Sequence, residues 1–256
     1  MEEKRGSDRA LSVRLLEEIK RLTAGRAKPM RLMEVCGTHT VSIFRAGLRQ
    51  LLPAEVELVS GPGCPVCVTP DGYMDAAIVY SGMDDVIVAT FGDMLKVPGS
   101  ASSLAEAAAQ GGDVRIVYSP LDALAMAKEN PEKKIVFLAV GFETTAPTAA
   151  AALLTAEREN VGNFFLLPAQ KLVPPAIRAL LADEDARIDG FLLPGHVAVV
   201  TGSNIFSFLA EEYHLPGVVT GFSPTELLRG IYRLVRQATA GDARIENEYR
   251  SVVRAE

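Results

Sequence analysis

The sequence predicts an α/β fold of two similar lobes, each a parallel sheet flanked by helices, with a cleft between them. Three observations predict it. Short apolar runs alternate with helical segments along the whole chain, an order that gives parallel sheets with right-handed crossovers. The β-α order begins again near residue 132, after about four units. Each half closes on the same device, Tyr118-Ser119-Pro120-Leu121-Asp122 and Phe222-Ser223-Pro224-Thr225-Glu226, a Ser-Pro helix start with an acid three residues after the serine. The expected lobes are residues 1–131, with the Cys36 and Cys64/Cys67 loops, and 132–256, with the Glu143 and His196 loops. Asn130-Pro131-Glu132-Lys133-Lys134 is the expected hinge.

Taken in order, Leu11, Leu15, Ile19 and Leu22 have helical spacing. Arg31 to Val35 reads as a strand running into Cys36, and Thr38 as the cap of the helix that follows. Val56 to Ser60 runs into Gly61-Pro62-Gly63-Cys64. Thr69-Pro70 reads as N-cap and first residue of the helix to Ser81. Val86 to Ala89 is a strand, followed by a long loop and the Ala-rich helix Ser102 to Gln110. Val114 to Tyr118 is a strand and Pro120 to Glu129 a helix. In the second half the strands are Ile135 to Val140, Phe164 to Leu167, Gly190 to Leu193 and Val218 to Thr220. The helices are Pro147 to Glu159, Pro174 to Leu181, Ser203 to Tyr213 and Pro224 to Ala238.

Composition excludes several classes. At 256 residues, 48% hydrophobic and 23% charged, the chain can bury a sizeable core, built without tryptophan. A net charge of −6 and the lack of a basic run with interleaved aromatics argue against nucleic-acid binding. Met1 to Ala10 is charged and lacks the apolar region of a secretory signal. No apolar run approaches the ~20 residues that span a bilayer. The expected location is the cytoplasm, where thiols stay reduced and three cysteines point to metal or redox chemistry.

In a parallel sheet, ligands sit beyond the carboxyl ends of the strands. Cys36, Cys64 and Cys67 lie there, followed by Asp93, Glu143, Gln170 and His196. Cys36 and Cys67 each precede an expected threonine cap by two residues, and the positive end of a helix lowers a thiol pKa. Three chemistries fit. Cys36-x-x-His39 with Cys64-x-x-Cys67 is a Cys₃His set at zinc-like spacing. Cys64-Pro65-Val66-Cys67 is a candidate dithiol/disulfide couple. The third is an iron site with an open position. His39 reads as a residue that caps the helix or supports a ligand from behind, ahead of a ligand itself, His196 suits the cleft, His214 reads as structural or solvated, and Glu143 as a cap-proximal carboxylate or an acid/base.

Five blocks together carry a resemblance: Met33-Glu34-Val35-Cys36-Gly37-Thr38-His39-Thr40, Gly61-Pro62-Gly63-Cys64-Pro65-Val66-Cys67-Val68, Phe91-Gly92-Asp93-Met94, Gly141-Phe142-Glu143-Thr144-Thr145-Ala146-Pro147-Thr148 and Leu193-Pro194-Gly195-His196-Val197. They resemble, in order and over nearly the whole chain, the signature blocks of the HypD family of [NiFe]-hydrogenase maturation proteins. The resemblance implies a scaffold on which the Fe(CN)₂CO group is assembled, with HypC as partner and with cyanide arriving from HypE, itself charged by HypF. It implies that Cys36 holds the iron, shared with a HypC cysteine, and that Cys64 and Cys67 are the essential thiol pair. Two departures stand out. Family members continue into a region whose cysteines hold a [4Fe-4S] cluster, and those ligand cysteines are absent from this chain, which has none after Cys67. Gln170 stands where the family often has histidine.

Overall fold

The computed structural model describes residues 2–183 and 185–254, with side chains from residue 8 onward. Part of the charged N-terminus, the side chains of residues 1–7, therefore lies outside the described residues. In chain order the strands are β1 (Met30–Glu34), β2 (Val56–Ser60), β3 (Val86–Thr90), β4 (Val114–Ile116), β5 (Lys134–Gly141), β6 (Phe164–Gln170), β7 (Gly190–Pro194), β8 (Gly217–Thr220) and β9 (Ile245–Asn247). The helices are α1 (Glu2–Thr23), α2 (Gly37–Arg45), α3 (Leu48–Leu51), α4 (Asp71–Ser81), α5 (Leu104–Ala109), α6 (Pro120–Glu129), α7 (Ala146–Arg158), α8 (Val173–Leu181), α9 (Gly195–Thr201), α10 (Phe208–Glu211) and α11 (Pro224–Ala240).

The strands form two parallel sheets, ordered β2-β1-β7-β8-β9 and β4-β3-β5-β6. The α/β reading with two helix-flanked sheets therefore holds. The division of the chain does not fall at 131/132. Leu32 of β1 pairs with Gly190 of β7, so late strands complete the sheet that the first two begin. Val86 of β3 pairs with Lys134 of β5, straight across the expected hinge. The compact units are Met1–Gly63 with Val173–Glu256, and Cys64–Leu172. The expected hinge is instead a fixed turn, in which Asn163 Nδ2 donates to the carbonyls of Ala127, Asn130 and Lys133 at 2.8, 3.0 and 2.8 Å.

Strands covered on both faces read as continuous apolar runs, and β3, β7 and β8 are buried at every position. In the first unit Ile19 of α1, Ile43 of α2 and Ile231 and Leu234 of α11 close over Met30, Leu32, Leu192 and Val218. The four-stranded sheet buries its two faces separately. Ile87, Ala89, Ile135, Phe137 and Ala139 face α6 and α7. Val86, Val88, Leu138 and Val140 face Met74, Ala77 and Leu104. Ala149, Ala152 and Ala156 recur at helical spacing on α7, so small side chains set its buried stripe. No helix among the described residues is long and apolar enough to cross a membrane.

Both Ser-Pro devices form the expected capping boxes. Ser119 and Ser223 accept from the N3 amides, and Asp122 and Glu226 return to the cap amides. The helix expected over Ser203 to Tyr213 forms only as a 3₁₀ turn over Asn204–Phe206 and the single turn of α10; α9, which precedes it, was not expected and ends where Gly202 takes φ 77°. Strand β9 was not expected. It is a three-residue, half-buried edge with too few residues to show a period.

Two glycines carry the turn after β2. The Gly61 N–H donates to the Glu34 carbonyl at 2.8 Å, and the Gly63 N–H to the Gly61 carbonyl at 2.8 Å. A Cβ on Gly63 would lie 2.5 Å from Gly37 N and 2.9 Å from the Cys36 carbonyl carbon, both backbone atoms that cannot yield. A Cβ on Gly61 would meet mainly the flexible Met33 side chain, at 2.6 Å from Sδ. Gly63→Ala should therefore cost about 1–3 kcal/mol as an overpacking change, and Gly61→Ala should cost less. Urea midpoints of the two variants check this; an equal or reversed order would show that the Cys36 turn gives way freely.

Candidate functional site

Cys36 leaves β1 in extended conformation, φ −148° and ψ 124°, and is itself the N-cap of α2. Its sulfur makes no capping bond, and the first turn of α2 holds no acid. The thiol is half-buried. Thr38, the expected cap, lies inside the helix instead, because the chain turns helical as soon as it leaves the strand.

The position of Cys36 depends on Glu34, whose side chain is fully buried. Glu34 Oε1 accepts from Arg49 Nη2 at 2.8 Å, from Ser60 Oγ at 2.9 Å and from Thr40 Oγ1 at 3.4 Å. One oxygen thus joins the end of β1, the end of β2 and the first turns of α2. Sequence reasoning missed this residue; the only signal was an acid inside a strand otherwise apolar at Met33 and Val35.

His39, in the same helix turn, is wholly buried. Its Nε2 lies 3.1 Å from the Gly221 carbonyl, so that nitrogen donates, and Nδ1 has no hydrogen-bond partner among the described residues. The ring meets Phe222 at 4.8 Å between centroids, and His196 stacks on Phe222 at 3.8 Å. Tyr249 closes on Phe222 edge-on at 6.3 Å. His196, expected in a loop, is an exposed residue in the first turn of α9. His214 is exposed, with φ 53°, in line with a solvated role. Phe222 and Tyr249 were invisible as site residues, since nothing in their spacing ties them to the histidines.

Cys64 and Cys67 begin the other unit. Cys67 lies in the 3₁₀ turn Val66–Val68, and its N–H donates to Cys64 Sγ at 3.2 Å. The expectation of a lowered Cys67 pKa fails. Its thiol is held above the ordinary value, first by hydrogen bonding to Cys64 and then by what burial it has. One 3₁₀ turn offers little dipole, and α4 begins only at Asp71, with Pro70 as its N-cap. Thr69 does not cap it; its hydroxyl donates back to the Pro65 carbonyl at 3.1 Å. Glu143 is buried after β5, Gln170 ends β6, and Asp93 lies in the 3₁₀ turn after β3. Among the described residues no three His, Cys, Asp or Glu side chains are gathered as they would be around a metal ion. The four members of the zinc-like set are divided by the chain, Cys36 and His39 in one unit, Cys64 and Cys67 in the other.

Burial pushes the His39 pKa from 6.5 down to about 4, against raising contributions from the Thr220 and Gly221 backbone. The unfolded chain therefore takes up a proton that the folded one refuses. Stability should fall as pH drops from about 6.5 to about 4, by about 3 kcal/mol at most. Urea unfolding across that range should show the slope, and His39→Gln should flatten it; an unchanged slope in the variant would assign the effect to other groups.

The family model named HypD, described as the hydrogenase formation hypA family, matches residues 10–256. The hydrogenase maturation factor HypD of Escherichia coli K12 is 48% identical over 239 residues, which cover 93% of this chain and 64% of that protein. That of Rhodobacter capsulatus is 49% identical over 250 residues, 96% of this chain and 66% of that protein. A putative hydrogenase expression/formation protein of Methanocaldococcus jannaschii is 43% identical over 250 residues, 98% and 69% respectively. The chain spans about two thirds of the length of the first two of these relatives. With a model matched over nearly its whole length and the thiol turns at the ends of β1 and β2, the chain belongs to the HypD family.

Proposed function

We propose that the chain serves [NiFe]-hydrogenase maturation as a scaffold that holds iron through Cys36 while cyanide and CO ligands are added. Iron here is cargo, received and passed on. The observation that carries the reading is the setting of Cys36: a half-buried sulfur at the N-cap of a nine-residue helix, free of any capping bond. The N-terminal end of a helix carries partial positive charge, and that setting supports the choice of Cys36 as the ligand. Cys36 alone leaves coordination positions open, unlike a closed four-ligand zinc site. A HypC-like protein is the proposed source of a second thiolate, and a HypE-like protein, charged by HypF, the proposed cyanide donor.

Cys64 and Cys67 are proposed as the redox pair. The Cys67 N–H donates to Cys64 Sγ, so the turn brings the two residues together, which supports the pairing. The source relatives are longer than this chain, so a [4Fe-4S] cluster, as an electron store for the pair, belongs to the proposal only for chains that carry its cysteines.

Anaerobic loading with ferrous iron in the presence of a HypC-like protein tests the reading. The chain should retain about one iron, and Cys36→Ser should lose at least about tenfold of it, the equivalent of 1.4 kcal/mol, with circular dichroism unchanged. Iron retained by Cys36→Ser would overturn the assignment. Stoichiometric zinc would favour a structural Cys₃His site, and a metal-free protein with a cycling Cys64–Cys67 pair would favour a thiol-disulfide oxidoreductase.

A further inference from the structure

We propose that a cavity in the Cys64–Leu172 unit binds a planar, uncharged ring carrying a hydrogen-bond donor and acceptor side by side, as an aromatic carboxamide or a lactam does. The cavity, of about 230 Å³, is lined by residues that follow β3, β4 and β5 and by the end of β6. It lies where the strand order reverses, β3 leading outward to β4 on one side and β5 to β6 on the other. Open parallel sheets bind their ligands at that point.

Size and lining narrow the ligand. An apolar void of roughly 150 Å³ takes a benzene ring, so this one holds a single substituted ring. Phe91 and Phe137 meet edge-on at 5.4 Å and form an aromatic wall, completed by Ala139 and Ala149. The lining contains no Asp, Glu, Lys, Arg or His. The polar groups are of two kinds. Ser119 Oγ is occupied by the amides of Leu121 and Asp122, and Thr145 Oγ1 donates to the Phe142 carbonyl. Gln170, half-buried, and Thr148, exposed, make no side-chain hydrogen bond to another described residue and are open to water. The Gln170 carboxamide offers one donor and one acceptor edge to edge, and its complement is another such pair. An anionic ligand is disfavoured, because the Asp122 carboxylate already occupies the amides of Tyr118 and Ser119 at this rim. Tyr118, 91% exposed, stands beside the opening with no packing of its own to lose on covering a ligand.

The thiol chemistry uses none of these groups, so the site is separable from it. Benzamide is the probe, titrated into the 256-residue chain by calorimetry and by NMR of the phenylalanine rings, with toluene and benzoate as controls. Benzamide should bind saturably, shift the Phe91 and Phe137 signals, and bind about tenfold more tightly than either control, the cost of one unmade buried hydrogen bond. Gln170→Glu, which keeps the shape and removes the donor, should weaken benzamide by a similar factor. Gln170→Ala should do the same, with unchanged melting temperature as the check on folding. Absence of saturable binding, toluene binding as tightly as benzamide, or full affinity in both Gln170 variants would each overturn the proposal.

Discussion

A buried carboxylate governs the geometry around Cys36. Glu34 is fully enclosed, and an isolated charge in that position would be prohibitive. It is tolerated because Arg49, itself 44% exposed, reaches in from solvent at 2.8 Å. The cation keeps part of its hydration while the anion gains a charge-assisted bond. Ser60 and Thr40 bond the same oxygen, Oε1, while Oε2 has no hydrogen-bond partner among the described residues. The consequence is topological. Two residues after Glu34 the chain reaches Cys36; one residue after Ser60 it reaches Gly61, and then the close approach of Gly63 to the Cys36 backbone. Charge fixes the strand ends, and the absence of Cβ atoms lets the turns interlock above them.

Parallel topology explains why the chemistry collects at these places. Within each sheet the parallel strands deliver their following turns to one edge of that sheet, and turns there meet helix N-termini rather than other strands. Cys36, the capped starts of α6 and α11 and the cavity beside Gln170 all exploit that arrangement. The two units use it differently. One packs His39 and His196 against the Phe222 ring. The other leaves its cysteines in a short turn at the start of the unit and an open aromatic cavity elsewhere on its edge.

Elements with local causes were legible in the sequence. The Ser119 and Ser223 boxes were readable because a cap needs only residues three apart. The apolar strands β3, β7 and β8 were readable because burial on both faces leaves no polar interruption. The turn that carries Cys36 was readable because it follows β1 closely. What failed depended on distant partners. The expected lobe boundary assumed that neighbours in sequence are neighbours in the sheet, whereas β1 takes β7. Thr69 looked like a cap, but its hydroxyl found the Pro65 carbonyl, a local competition that spacing does not reveal. The role of Glu34 rests on Arg49 and Ser60, 15 and 26 residues away, and no periodicity announces such a meeting.

The central claim is that Glu34 holds the Cys36 and Gly61–Gly63 turns as one piece. Native-state hydrogen exchange of Glu34→Ala tests it most directly. The account expects faster exchange, by the same factor, at the amides of Thr40, Gly61 and Gly63, whose acceptors are Cys36, Glu34 and Gly61, with β3 and β5 unchanged. Unaltered exchange at those three amides, or a uniform rise through both units, would contradict it.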